Sequence, residues 1–332
     1  MSSTLLEIQD LTVSFHTPQG VQGAVDNVSF SLAEGETLGL VGESGCGKSV
    51  TALSILGLVD TSAGVMESGR ILFRGQDLLG ISPEALRRLR GNEISMVFQE
   101  PMTSLNPILP VGRQIAEPLM VHQGLSKTEA FASAAAWLER VNIPMAGKRM
   151  KEYPHQLSGG MRQRVMIAMA MICRPGLLIA DEPTTALDVS TQAQILTLIE
   201  KLKADFKMSV MFITHDLGIV AQTANRVVVM YAGQVVEAAP VTDIFDRPAH
   251  PYTKGLLKSI PRMGIPASGS KKRLQEIRGS LPSRDKPIYG CRFADRCPEV
   301  FEPCRVKRPH LMLVQGSQQS RCWLYADMSD KR

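Results

Sequence analysis

One octapeptide constrains this chain more than any other feature. Gly42-Glu43-Ser44-Gly45-Cys46-Gly47-Lys48-Ser49 fits the pattern G-x-x-x-x-G-K-[ST]. Its glycines let successive backbone N–H groups turn inward around an anion, and a helix starting at its end adds the positive end of its dipole. The flanks supply what that geometry needs. Thr37–Val41 is a short apolar run that reads as a buried strand. Ser49–Leu58 reads as a helix, with Val50 in its first turn. Lys48 is placed to reach the β- and γ-phosphates of a nucleoside triphosphate, and the Ser49 hydroxyl to hold Mg²⁺. A Gly-rich turn without a ligand is the plain alternative, and the strand–loop–helix context argues against it.

Two further segments carry related chemistry. Leu177–Glu182 is an apolar strand that ends on two carboxylates, which are costly to bury unpaired. Beside a phosphate loop, Asp181 reads as a Mg²⁺ carboxylate and Glu182 as the group that polarises the attacking water. Leu157-Ser158-Gly159-Gly160-Met161-Arg162-Gln163 opens a helix that Ser158 can cap, and its glycines expose N–H groups to a second phosphate. Taken alone, that segment is equally an ordinary capped helix start.

The rest of the pattern is α/β. Leu5–Ile8, Leu11–Phe15 and Val28–Leu32 alternate as strands of an antiparallel sheet. Residues 94–99 form another apolar strand, and from about Pro101 to Ala170 the pattern is helical, with Glu129–Val141 clearly amphipathic. Leu177–Ala180 and Val210–Thr214 read as parallel strands buried on both faces. Val227–Tyr231 and Gln234–Ala238 flank Ala232-Gly233 as a hairpin. The expected organisation is a domain over 1–239, with a helical subdomain at about 100–170, followed by an extension over 240–332. That extension holds a loose linker at 261–286 and a cysteine cluster at 291–322.

Composition removes other classes. Hydrophobic residues at 44% and charged residues at 21% exclude a mainly disordered, collagen-like or coiled-coil chain. The longest apolar runs, such as Val165–Cys173, fall short of a bilayer span. The opening MSSTLLEIQD lacks a basic segment and an apolar core, which predicts a chain without a secretory signal, kept in the cytosol. Net charge is +5, with 18 Lys+Arg against 9 Asp+Glu from Pro240 onward. A basic tail of this kind suits nucleic acid, anionic lipid or an acidic protein surface, and a solvated basic face is the plainer reading.

The motifs together resemble the ATP-binding cassette (ABC) family over residues 1–239, with Leu157–Gln163 as its signature sequence. The resemblance implies a cassette with a RecA-like core, an antiparallel β subdomain and a helical subdomain. It assigns Gln99 to the loop that senses Mg²⁺ and the membrane partner. Ala186-Leu187-Asp188 becomes the D-loop, His215 the switch residue at the γ-phosphate, and Phe15 the aromatic that stacks on adenine. Phe98–Pro107, Tyr153–Gly160 and His250-Pro251-Tyr252-Thr253 narrow the likeness to the oligopeptide/dipeptide importers. Membership implies an ATPase that closes head to tail with a second, commonly non-identical ATPase subunit. Each ATP then lies between one chain's Lys48 side and the other's Ser158–Gly160. Two transmembrane permease subunits and an extracytoplasmic peptide-binding protein complete the complex, with this chain peripheral on the cytoplasmic face of the inner membrane. A non-transport cassette ATPase acting on nucleic acid or ribosomes is the alternative; the chain lacks the duplicated cassette or long coiled coil usual in such proteins, so no nucleic-acid partner is expected.

Four of the six cysteines, Cys291, Cys297, Cys304 and Cys322, crowd into the extension. In a cytosolic chain such crowding points to metal or redox chemistry rather than disulfides. No C-x-x-C pair occurs, and spacing alone leaves zinc and iron–sulfur equally placed. The importer resemblance implies a 4Fe–4S cluster on these cysteines, with Arg292, Arg296, Arg305 and Arg321 near enough in sequence to offset the thiolate charge.

Overall fold

In the computed structural model, the described residues are 3–18, 20–60, 62–99, 104–185, 187–259, 277–282 and 288–326. The strands are β1 (Thr4–Thr17), β2 (Gly20–Ala33), β3 (Thr37–Val41), β4 (Gly64–Phe73), β5 (Gln76–Asp77), β6 (Ile94–Val97), β7 (Leu177–Asp181), β8 (Ser209–Thr214), β9 (Arg226–Tyr231), β10 (Gln234–Pro240), β11 (Met312–Gln315) and β12 (Gln318–Ser320). The chain divides into two compact units. One comprises Met1–Leu5, Leu32–Thr37 and Asp77–Ile213, and the other Leu6–Ser31, Leu38–Gln76 and Thr214–Arg332.

In the first unit, β8, β7 and β6 lie side by side in parallel. Leu177 stands opposite Ser209 on one flank and opposite Ile94 on the other. Every residue of β7 and β8 is buried, as their unbroken apolar runs predict. Helices Val111–His122, Lys127–Arg140 and Gly159–Met171 make up the helical region. Ser126 starts the second of these with a capping box, exchanging hydrogen bonds with Glu129. Arg164 of the third ties to the carbonyl of Val141 and to Gln194.

In the second unit, one sheet has the order β2-β1-β4-β5, with β1 and β4 antiparallel. The expected separate strands at 5–8 and 11–15 are one strand, interrupted at Asp10, whose φ of 50° puts a bulge between them. The other strands run β11-β12-β10-β9-β3. The hairpin at Ala232-Gly233 forms as read, with both residues at positive φ. Past Pro240 the chain returns to this sheet, since β12 pairs antiparallel with β10, Ser320 opposite Glu237.

Several elements escape the sequence reading, the helix Val189–Phe206 among them. Strand β4 carries exposed Met66, Glu67 and Ser68 and shows little alternation. Helix Pro83–Leu89 has a cap that was there to read: Ser82 accepts from Ala85 N–H, with Pro83 at the first position. Strands β11 and β12 are too short and polar to register as a pattern. Most of the 261–286 linker lies outside the described residues.

Candidate functional site: the phosphate loop and the carboxylate strand

The phosphate loop leaves the buried strand β3 at Gly42, whose φ is 153°. A Cβ there would come 2.2 Å from the Met230 carbonyl oxygen, and one on Gly47 (φ 105°) would come 2.6 Å from the Ala24 carbonyl oxygen. Both contacts are with backbone, which cannot give way, so the loop requires glycine at these places. The hairpin turn braces it: Gly233 N–H donates to the Cys46 carbonyl at 2.9 Å, and Asp26 N–H to the Gly233 carbonyl at 2.8 Å.

Lys48 opens the helix Lys48–Ile55 and is 5% exposed. Its ammonium donates to the carbonyls of Gly42 (2.8 Å) and Glu43 (3.1 Å), which places a buried positive charge across the loop's mouth. No side chain caps this helix, so its N-terminal dipole faces the loop undiminished. Ser49 and Val50 follow, half-buried, while Ser44 and Gly45 are exposed at the tip. Burial pushes the Cys46 thiol up, against the opposing pull of Lys48, so it sits there as a neutral apolar filler.

In the same unit, His215 follows β8 and is exposed. Asp216 sets its turn, donating its N–H to Thr214 Oγ1 (2.9 Å) and accepting from Gly218 N–H (2.7 Å). Phe15, on β1, is half-buried with its ring against Gly64, its partner on β4.

In the other unit, β7 delivers Asp181, 4% exposed, and then turns sharply. Glu182 has a φ of 46° and donates its N–H to the Ile213 carbonyl. That bend lifts the carboxylate off the strand. It accepts there from Gln99 Nε2 (2.9 Å) and Thr185 Oγ1 (2.9 Å). Sequence reasoning singled out Gln99 and Glu182 separately; it did not join them, and it missed Thr185. Strand β6 stops at Val97, so Gln99 lies beyond it and is exposed, not on the strand expected over 94–99.

The signature segment also lies in this unit. Ser158 is exposed and caps the helix Gly159–Met171 by accepting from Met161 N–H. Gly159 faces Leu187. Gly160 lies over Thr191, where a Cβ would meet the Thr191 methyl at 2.9 Å. Thr191 donates both its N–H (2.9 Å) and its hydroxyl (2.7 Å) to Asp188, the cap of helix Val189–Phe206. Those two hydrogen bonds, with a smaller contribution from Ser190, hold the Asp188 carboxyl down at about 2. Signature glycine and D-loop acid therefore meet on one threonine. Gln163 points inward and is buried; Ala186 lies outside the described residues.

The extension reaches the phosphate loop. Arg296 makes a two-pronged ion pair with Glu43, Nη1 to Oε2 at 2.8 Å and Nη2 to Oε1 at 3.0 Å. The Tyr252 hydroxyl accepts from Glu43 N–H at 2.9 Å. Arg292 pairs with Asp26 and donates to the Ala232 carbonyl. Arg292 and Arg296, read as counter-charges for thiolates, are thus engaged with carboxylates. Cys304 and Cys322 are buried, Cys291 and Cys297 partly so. Burial pushes the Cys291 thiol up to about 11 and Cys322 up to about 12, and the charges of the other three cysteines add to the rise at Cys322. Among the described residues, no three His, Cys, Asp or Glu side chains stand in an arrangement that holds a metal ion. Nor is any described helix long and apolar enough to cross a membrane.

Residues 25–185 match the family described as ABC transporter, and residues 236–304 match the one described as oligopeptide/dipeptide transporter, C-terminal region. The chain is 50% identical to the oligopeptide transport ATP-binding protein AppD of Bacillus subtilis (strain 168), over 98% of both chains. It is 50% identical to the dipeptide transport ATP-binding protein DppD of the same organism, over 96% of this chain and 94% of that one. Among solved structures, it resembles the dimeric post-hydrolysis cassette MJ0796 bound to ADP and Pi, with a TM-score of 0.64 and 28% identity over 71% of this chain and 99% of that one. The phosphate loop, the carboxylate strand and the signature helix are those of an ABC cassette, and the chain belongs to the ATP-binding proteins of the oligopeptide/dipeptide ABC transporter family.

Proposed function

We propose that this chain hydrolyses ATP to drive import of di- or oligopeptides, or a related solute, through a membrane complex. The match that spans both the cassette and the region after 236 carries this reading, because relatives named for oligopeptide and dipeptide transport align over nearly the whole chain. In this reading two permease subunits form the path, an extracytoplasmic binding protein delivers the solute, and a second, non-identical ATPase completes the dimer. The chain works from the cytoplasmic face.

Each residue has a role in the proposal. The loop Gly42–Val50 and Lys48 hold the triphosphate, Ser49, Gln99 and Asp181 the Mg²⁺, and Phe15 the adenine. Glu182 orients and polarises the attacking water, with His215 at the γ-phosphate. Ser158, Gly159 and Gly160 meet the nucleotide bound by the partner subunit, beside Asp188; Gln163, buried on the inner face of the helix, does not take the contact that the resemblance implies for it. The buried Lys48 ammonium and the uncapped helix start support the first assignment. The bend that lifts Glu182 off β7 supports its role. Magnesium supplies charge neutralisation between the β- and γ-phosphates; the protein's part is to position the reacting groups.

Cys291, Cys297, Cys304 and Cys322 are proposed to hold a 4Fe–4S cluster, with zinc as the alternative. Their shared locale supports the reading: Cys291 N–H donates to the Cys304 carbonyl at 2.7 Å, and Cys304 and Cys322 are both buried in the extension. The donor set is thiolate-only, which suits iron–sulfur chemistry and zinc alike. Its role in either case is to staple a small, core-poor segment.

Purification of the chain with its membrane partners tests the main reading. Permease subunits in the complex, and ATPase activity stimulated by a peptide-loaded binding protein, are expected. A chain that co-purifies instead with ribosomes or nucleic acid would overturn it.

A further inference from the structure

We propose that Arg296 is a positioning residue of the phosphate loop, neutralising Glu43 so that the loop can take a triphosphate. The inference rests on reading that loop as the nucleotide cradle.

A loop built to receive a polyanion carries a carboxylate at its second position, Glu43. Left unpaired, that charge opposes the ligand. It is matched instead by the two-pronged pair with Arg296 described above, in which the arginine side chain is only 7% exposed. All five guanidinium N–H groups have acceptors. Nε donates to the Arg278 carbonyl (3.0 Å), Nη1 to Glu43 and the Tyr231 hydroxyl (3.3 Å), and Nη2 to Glu43 and the Ile277 carbonyl (3.3 Å). The group is fixed in one orientation, with its plane near the Tyr231 ring.

Glu43 is held at three points. Arg296 takes its carboxylate, Tyr252 its N–H, and its carbonyl accepts from the Lys48 ammonium. The arginine that cancels the loop's negative charge therefore grips a residue whose carbonyl anchors the lysine. Arg296 lies more than 250 positions later in the chain, on the turn Ala294–Arg296 next to Cys297. Arg292 seats the same turn on the hairpin that braces the loop from below.

The pair is tested with the full chain assembled in its transporter. Arg296→Met keeps the length of the side chain and removes its charge. The expected result is a rise of about three- to ten-fold in KM for ATP at low salt, with kcat within about two-fold, as one uncompensated charge near a Mg²⁺-bound triphosphate dictates. The rise shrinks as ionic strength increases. Glu43→Gln combined with Arg296→Met recovers most of the lost affinity, because no carboxylate then opposes the ligand. A wild-type KM for Arg296→Met, or a defect that Glu43→Gln does not relieve, overturns the proposal. Should Arg296→Met not accumulate as folded protein, Arg296→Lys takes its place: a smaller rise in KM that Glu43→Gln removes supports the pair, and a wild-type KM overturns it. Lys48→Ala serves as the separate check on the cradle. If it leaves nucleotide affinity intact, the reading of the loop fails, whatever Arg296 does.

Discussion

The amide of Gln99 donates to the carboxylate of Glu182 at 2.9 Å, although the two residues are 83 positions apart in the chain. Thr185 donates to the same oxygen. Glu182 is thus aimed by two neighbours, one of which lies just beyond β6 on an exposed loop. Displacement of that loop would remove one of the two hydrogen bonds that aim the carboxylate.

Glu182→Gln is therefore expected to retain ATP binding and to lose hydrolysis by about 10²-fold or more, since the amide keeps the shape and lacks the charge that polarises water. Gln99→Ala leaves the carboxylate in place but less well aimed, and a smaller loss is expected. Steady-state ATPase rates of the assembled complex, with nucleotide affinity measured in parallel, check both; near wild-type turnover of Glu182→Gln would remove it from its role.

Ser158 is exposed at a helix start with glycines beside it. Placing a long cation there by Ser158→Arg is expected to cut hydrolysis of the nucleotide bound on the partner subunit by at least about ten-fold. Complexes with one mutant subunit report it. An effect confined to the nucleotide on the mutant chain's own loop would contradict a head-to-tail dimer.

His250 caps helix Pro251–Lys258, accepting from Tyr252 N–H at its Nδ1, and is fully buried. Burial holds it neutral, down to about 3, with Lys254 and Arg321 adding to the fall. A histidine with a lowered folded value stabilises above its unfolded pKa, and the stability is lost as pH falls toward the folded value. Between pH 7 and pH 5 it is expected to cost up to about 2 kcal/mol. Unfolding midpoints should fall more steeply with acid for wild type than for His250→Asn. Parallel curves would show that His250 is not the titrating group.

Protein purified without oxygen is expected to be brown, with roughly four iron and four sulfide per chain. Any one of Cys291→Ser, Cys297→Ser, Cys304→Ser or Cys322→Ser loses that content; Cys46→Ser and Cys173→Ser keep it. Stoichiometric zinc without sulfide would replace the cluster with a zinc site.

Much of this chain was legible in its sequence, because its strongest signals are local. Strand β3 was read with the boundaries it has, since a five-residue apolar run before a Gly-rich turn admits few other structures. Strands β7 and β8 and the helix Lys127–Arg140 were placed within a few residues for the same reason: burial on both faces, and a 3.6-residue period with a cap, leave their mark on consecutive positions. The phosphate loop, the signature and the strand-end carboxylates carry their chemistry in fixed short spacings.

What the tertiary structure decided are the partnerships between residues far apart. Nothing near Gln99 announces Glu182, and nothing near Glu43 announces Arg296 or Tyr252. Arg296 by sequence sits among cysteines and reads as their counter-charge; in the fold its guanidinium belongs to the phosphate loop. The meeting of Gly160 and Asp188 on Thr191 is of the same kind. A sequence records which groups are available and which local turns present them. Which carboxylate an arginine finds depends on how distant segments pack together, and no local pattern around Arg296 or Glu43 records that packing.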